Sequence, residues 1–239
     1  MQNDTYKVLE IFSSIDGEGR RAGELVTFIR FSGCSLRCTW CDTSYSQNGT
    51  EGTYMTLDDI RSKIYEFGNR NITVTGGEPL IQHNIDDLFE ILLLEGFDIN
   101  VETNGNHSID KYILGDFKQR FSTDRWNLVK EHLWFTMDYK SRSSGMKSHM
   151  DINRFLLLRD IDVLKFVVGS ELELEDALSV IQFIRKNNVH CYVYFSPVFG
   201  MIEPYKIVDF MKEHKEDMDK VRVQLQLHKI IWDPNKREV

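Results

Sequence analysis

The chain has 239 residues, 41% of them hydrophobic and 28% charged, which suits one folded domain and excludes a disordered chain. Its 29 basic and 37 acidic side chains give a net charge of −8, excluding a protein built mainly to grip nucleic-acid phosphates. No apolar run nears the ~18 residues of a membrane span, and the start, MQNDTYKVLE, lacks the basic and apolar regions of a secretion signal, so a cytoplasmic location is expected.

In chain order, a first strand is predicted over 26–31 (VTFIRF). A long connection, 33–54, follows and carries Cys34, Cys38 and Cys41. Thr56-Leu-Asp-Asp then opens a helix with a capping-box-like pattern, running to about Phe67. A strand at 72–75 (ITVT) leads into Thr75-Gly-Gly-Glu-Pro79 and a helix over 84–95. Next come a strand at 99–103 (INVET), a helix over 108–118 and a strand at 133–137 (LWFTM). The segment 140–153 (KSRSSGMKSHMDIN) is polar and reads as a mobile loop. Strands at 163–168 (VLKFVV) and 191–195 (CYVYF) alternate with helices over 174–186 and 203–214, and 221–227 (VRVQLQL) is a seventh strand candidate.

Short apolar strands alternating with helices specify α/β architecture with right-handed crossovers. Eight such units typically need about 250 residues. The expectation is therefore an incomplete, TIM-like (β/α) barrel of six to seven strands, open on one side and forming a single domain over 1–239. Function in such folds sits at the C-terminal strand ends. The cysteine loop, TGGEP, ETNG (102–105), Asp138-Tyr-Lys140 and Ser196-Pro-Val-Phe-Gly200 all fall there.

Three local cysteines suit a [4Fe–4S] cluster with one iron left open. The spacing alone leaves two alternatives: zinc completed by Cys191, His83 or another distant residue, or cysteines with no metal role. Cys191 itself reads as a small buried hydrophobe. In TGGEP the two glycines let backbone approach a ligand closely, or simply form a tight turn; beside the cysteine loop they read as the rim of one site.

These segments together resemble the radical S-adenosylmethionine (SAM) superfamily, whose cluster motif is CxxxCxxC and whose SAM-amine motif is GGEP. Within it, the chain resembles the 7-carboxy-7-deazaguanine synthase family of queuosine biosynthesis. The likeness includes EIFSSIDGEG at 10–19, FIRFSGCSLRCTWCDT at 28–43, TGGEP at 75–79, LKFVVG at 164–169 and LQLHK at 225–229. The resemblance implies a carbon–nitrogen lyase that contracts 6-carboxy-5,6,7,8-tetrahydropterin to 7-carboxy-7-deazaguanine and ammonia, a precursor for tRNA modification. It implies a [4Fe–4S] cluster, SAM and Mg²⁺, a flavodoxin- or ferredoxin-like electron donor, and a homodimer with no nucleic-acid or membrane partner.

By matching positions, the resemblance assigns Cys34, Cys38 and Cys41 to the cluster and Thr43 to magnesium. Trp40, Cys41, Asp42, Gly77, Asp138, Tyr139, Lys140, Ser196, Pro197, Val198 and Phe199 would contact SAM. Ile15, Asp16, Gly17, Glu18, Arg30, Thr75, His228 and Val239 would hold the pterin, with the radical itself carried by SAM rather than by a side chain. Three departures stand out: Asp16 replaces the family's glutamine, Asp138-Tyr-Lys140 replaces Ser-Pro-Lys, and Ser196-Pro197 replaces Gln-Pro. The tail 228–239 is expected to close the site, anchored by Ile231 and Trp232, with its terminal carboxylate on the pterin. A glycyl-radical-enzyme activase and a zinc-stabilised binding module without activity are the competing readings.

Overall fold

Nine strands form one sheet in the computed structural model, which describes residues 5–234 and 236–239. The first residues of the N-terminal reading, 1–4, and Asn235 of the tail lie outside the described residues. Seven strands run parallel in chain order: β2 (Leu25–Phe31), β4 (Asn71–Gly76), β5 (Asp98–Thr103), β6 (Leu133–Tyr139), β7 (Val163–Val168), β8 (Tyr192–Pro197) and β9 (Val221–Val223). These are the seven read from the sequence. Two more were not: β1 (Thr5–Ile15) pairs antiparallel with β2, and β3 (Thr53–Thr56) pairs antiparallel with β1. Both lie beyond β2 at one edge, where no crossover helix announces them, and the sheet is not a closed barrel.

Side chains alternate across each strand. One set, including Ile29, Phe31, Val74, Val101, Phe135, Phe166 and Phe195, is buried against Leu88 and Phe89 of α2 (Ile85–Leu94) and Leu174 and Ile181 of α5 (Glu171–Lys186). The other set carries Thr73, Thr75, Asn100, Glu102, Thr136, Asp138, Lys165 and Ser196 on the opposite face, among apolar neighbours such as Phe28, Trp134 and Tyr194. Thr136 donates to Asn100 at 2.9 Å and Thr75 to Glu102 at 2.9 Å across neighbouring strands. The apolar face holds the fold together while the opposite face supplies the site.

α1 (Leu57–Phe67) starts at the expected capping box: Asp59 N donates to Thr56 Oγ1 at 3.1 Å and Thr56 N to the Asp59 carboxylate at 2.9 Å. The helix predicted over 108–118 is instead α3 (Asp110–Ile113) followed, beyond Gly115, by a 3₁₀ turn at Asp116–Arg120. A further helix, α4 (Thr123–Val129), was not predicted; α6 (Pro204–Glu213) was.

The strand predicted over 221–227 stops at Val223, because the chain there turns to meet the 16–19 loop and enters α7 (Leu227–Ile231). Gln224 bridges the gap beside β9: its Oε1 accepts from Gly19 N at 2.8 Å and its Nε2 donates to Gly19 O at 2.8 Å. Leu227 N adds a bond to Gly17 O at 3.1 Å.

The 140–153 segment is not the loose loop expected. It folds as 3₁₀ turns at Arg142–Ser144 and Lys147–His149 and leads into a third, Ile152–Leu157, with Ser141 and Ser144 buried. Thr39 N donates to Ser144 O at 3.0 Å, and Trp40 Nε1 to Ser143 Oγ at 3.0 Å, so the segment braces the cysteine loop. Among the described residues no helix is long and apolar enough to cross a membrane.

Candidate active site

The cysteine loop leaves the C-terminal end of β2 and is held at its roots. Gly33 N donates to Ser46 O at 2.7 Å and Cys34 N to Gln47 O at 3.1 Å, while Arg37 covers the carbonyls of Cys34 and Leu36 at 2.7 Å each. All three cysteines are free thiols and line one cavity. Burial pushes the Cys38 and Cys41 thiols up, partly offset at Cys38 by the Lys140 ammonium. Metal-free protein therefore keeps these two protonated, and binding a metal must expel their protons.

The donor set fits a cluster better than a single ion. Tetrahedral zinc needs four ligands, and among the described residues the cavity holding the three sulfurs has no fourth cysteine and no histidine in its walls. The three sulfurs nonetheless share a cavity, the arrangement a larger inorganic core needs. Cys191 is fully buried in the hydrophobic core, and His83 is exposed and absent from the cavity walls. Neither completes a zinc site here.

The Gly-Gly-Glu-Pro turn is built by backbone contact. A methyl group on Gly77 would stand 2.1 Å from Gly33 O, and one on Gly76 (φ +138°) would stand 2.3 Å from Phe31 O. Gly77 N donates to Phe31 O at 3.1 Å and Glu78 N to Gly33 O at 2.8 Å, locking the turn onto the cysteine loop. The fully buried Glu78 carboxylate accepts from Asn104 N at 2.7 Å, Leu80 N at 3.0 Å and Thr103 Oγ1 at 2.8 Å. Burial pushes its pKa up to about 7 despite these donors.

Two adjoining cavities gather most of the expected residues. The first is lined by Cys34, Cys38, Cys41, Trp40, Gly77, Thr75, Asp138, Lys140, Pro197 and Val198. The second is lined by Ile15, Asp16, Gly17, His228 and Val239. Glu18, Arg30, Asp42, Thr43 and Phe199 border both. Lys140 is buried, bonded to Asp138 at 2.6 Å, with its ammonium 5.7 Å from the Trp40 ring centre.

Several side chains depart from expectation. The Tyr139 ring packs on Phe155 and Phe166, with centroids 5.4 and 5.5 Å away, outside both cavities, so its side chain is not placed against SAM. Ser196 Oγ donates to Glu18 rather than lining either cavity. Asp16 lines the second cavity, but its carboxylate is also bonded within the protein, to Arg21 Nε at 3.3 Å and Thr73 Oγ1 at 3.1 Å. Arg30 is paired through Nε with Glu10, which also accepts from Tyr45 OH at 3.2 Å. Ile231 is exposed, so it does not anchor the tail. The Arg237 guanidinium does, lying 3.5 Å from the centre of the Tyr45 ring.

Glu102, Lys165, Asn104, Gln226 and Lys229 also line the first cavity and were not singled out as site residues. Lys165 bonds Glu18 at 2.7 Å, and burial, which would lower its pKa, is outweighed by Glu18, Asp138 and Glu102, holding it charged. A signal existed: a charged residue at the inward position of an otherwise apolar strand, as in INVET and VLKFVV.

The model of the radical SAM superfamily matches residues 28–114, the segment containing the cysteine loop, the Gly-Gly-Glu-Pro turn and ETNG. A 7-carboxy-7-deazaguanine synthase of Clostridium acetobutylicum is 43% identical over 239 residues, covering 98% of this chain and 99% of the relative. This chain belongs to the 7-carboxy-7-deazaguanine synthase family. A second member, from Chlorobaculum tepidum, is 34% identical over 97% of this chain and 96% of its own length. The crystal structure of QueE from Escherichia coli shares the fold, with TM-score 0.68 and 21% identity over 93% of this chain and 94% of that one. Streptococcus suis SuiB aligns with TM-score 0.58 at 12% identity, over 84% of this chain and 48% of its own. Membership in this radical SAM family brings with it a [4Fe–4S] cluster and SAM. It also sets aside the activase and zinc-module readings.

Proposed function

We propose that the chain contracts 6-carboxy-5,6,7,8-tetrahydropterin to 7-carboxy-7-deazaguanine and ammonia, with the cluster and SAM in the first cavity and the pterin in the second. The observation that carries this is the continuity of the two cavities through Glu18, Arg30, Asp42, Thr43 and Phe199, in a chain alike over its full length to named synthases. When bound, the reduced cluster and SAM supply hydrogen-atom abstraction, and the protein orients and shields the reactants. In this reading Cys34, Cys38 and Cys41 hold three irons, and Lys140, kept charged by Asp138, lies near SAM's carboxylate. Arg30 keeps the end of its guanidinium for the pterin carboxylate while Glu10 fixes its Nε. The cluster loop 33–54 and tail 228–239 belong to this single domain as its two closing segments.

Anaerobic protein, reconstituted with iron and sulfide and given SAM, reductant and carboxytetrahydropterin, should form the deazaguanine product. SAM cleavage without that product would move the chain to another radical SAM reaction.

Magnesium, an external flavodoxin- or ferredoxin-like donor, a homodimer and a cytoplasmic location belong to the same proposal. Thr43 Oγ1 donates to Asp42 at 2.8 Å, and both border the two cavities. One hydroxyl beside one carboxylate suits a Mg²⁺ ion that keeps waters and takes substrate oxygens. Thr43→Ala should reduce the magnesium stimulation of turnover and spare uncoupled SAM cleavage; equal loss of both would make Thr43 a support of the cluster loop.

The tail gives a further expectation. Val239 lines the second cavity and Arg237 is stacked on Tyr45. Deleting Val239, or extending the chain beyond it, should weaken pterin binding at least ~10-fold, the factor for 1.4 kcal/mol. An N-terminal extension should change it little. Titration of the pterin against tagged and untagged protein checks this, and equal affinities would make the tail a solvated end.

A further inference from the structure

At the wall of the second cavity lies a buried ion pair. The Asp16 carboxylate meets Arg21 Nε at 3.3 Å, and the side chains of Asp16 and Arg21 are 3% and 9% exposed. Arg21 is fixed on every side. Its NH2 donates to Ile72 O at 3.1 Å and Thr73 Oγ1 at 3.2 Å, its NH1 to Asp98 O at 3.2 Å, and its guanidinium lies 4.6 Å from the centre of the Trp134 ring. Thr73 Oγ1 also reaches Asp16, closing the arrangement on β4. An amide at position 16 would remove the nearest of the three carboxylates, Asp16, Asp98 and Glu24, that offset the burial of this guanidinium.

The loop carried by this pair bears on the cavity above. Asp16 N donates to Glu24 O at 2.9 Å and Asp16 O accepts from Gly23 N at 2.8 Å, so residue 16 is clamped through backbone as well as side chain. The next residue, Gly17, leaves its Cβ space to the imidazole: a methyl there would stand 2.5 Å from His228 Nδ1. Its carbonyl accepts from Leu227 N at 3.1 Å. Glu18 is then directed to Lys165 at 2.7 Å and to Gln226 at 3.4 Å.

We infer that Asp16 and Arg21 act as one positioning unit: they pin the 16–19 loop to β4 and β5, and through that loop set His228 and Glu18 against the pterin. Asp16 is a positioning residue, its carboxylate engaged by Arg21 and Thr73 rather than by the substrate. The inference rests on the proposed pterin site for its kinetic consequence but not for its structural one.

A buried pair that loses one partner is strongly destabilised, whereas removal of both is tolerated far better. The test therefore uses Asp16→Asn, Arg21→Met and the double variant, with Arg21→Lys standing in if Arg21→Met yields no soluble protein. Amide hydrogen exchange over 16–19 and 224–228 is measured on the full chain. Each single variant should speed exchange in both segments about 10-fold, and the double variant should exchange more slowly than either. The KM for carboxytetrahydropterin should rise about 10-fold in the single variants, with kcat falling less, and recover in the double variant. Iron content per chain, measured alongside, separates loss of the cluster from loss of loop position.

Additive exchange effects would overturn the unit. So would Asp16→Asn raising KM with exchange unchanged and Arg21→Met silent, which would place the carboxylate on the substrate. Wild-type protein that binds SAM but never turns over the pterin would overturn the proposed function, and the exchange data would still decide the pair.

Discussion

Replacing Cys34, Cys38 or Cys41 individually with alanine should abolish cluster retention and SAM cleavage while leaving a folded, soluble chain. The three thiols lie half-buried on a loop braced from outside by Ser143 and Ser144, and none of them belongs to the hydrophobic core. Loss of one sulfur removes a cluster ligand without opening a cavity between strands and helices. Visible iron–sulfur absorbance, iron analysis and circular dichroism check the three parts of this expectation. Cys191→Ala is the matched control. That residue is fully buried between sheet and helices, so its truncation costs about 1 kcal/mol of packing. In a chain of this size that corresponds to a Tm shift of about 2–4 °C, with iron content unchanged. Iron lost from Cys191→Ala would show that the ligand set includes it.

Gly77→Ala should be nearly as damaging, for a steric reason confined to the backbone. The added methyl would sit 2.1 Å from Gly33 O and 2.9 Å from Cys34 Cβ, closer than such atoms approach. Either the Gly-Gly-Glu-Pro turn or the root of the cysteine loop must move, and the bond from Glu78 N to Gly33 O at 2.8 Å is lost with it. We expect at least ~100-fold slower SAM cleavage, equivalent to about 2.8 kcal/mol, with reduced iron retention. Gly96→Ala provides the comparison: its φ is +87° but nothing lies within 4 Å of the added methyl. It should lower stability by about 1 kcal/mol through backbone strain and leave SAM cleavage intact. Equal activity of Gly77→Ala and wild type would reduce the motif to a simple turn.

The parallel strands and most long helices were legible because their signals are local. Alternation of apolar strands with helices, a capping box at Thr56 and glycines at turns each depend on a few neighbouring residues. The cysteine spacing and Gly-Gly-Glu-Pro were equally legible, since a cluster loop and a close backbone approach need particular residues at fixed offsets. The strand β3 escaped because a four-residue edge strand is defined by the partner it meets, and β1, paired on both sides, because no helix links it to β2 in the alternating pattern. The broken helix at 108–118 shows the same limit at Gly115.

The amino-acid sequence by itself determined the α/β class, the seven parallel strands, the cysteine spacing and the family to which the chain belongs. Only the tertiary structure decided which side of each strand meets the site, and so brought in Glu102 and Lys165. It alone turned Tyr139 toward Phe155 and Phe166, folded 140–153 onto the cysteine loop and closed Asp16 on Arg21. The reason is physical: a buried charge is stable only beside a partner, and that partner here comes from other strands and loops brought together by the sheet. Sequence spacing carries a ligand motif, but the pairing of Lys165 with Glu18, 147 positions away, exists only once the barrel has formed.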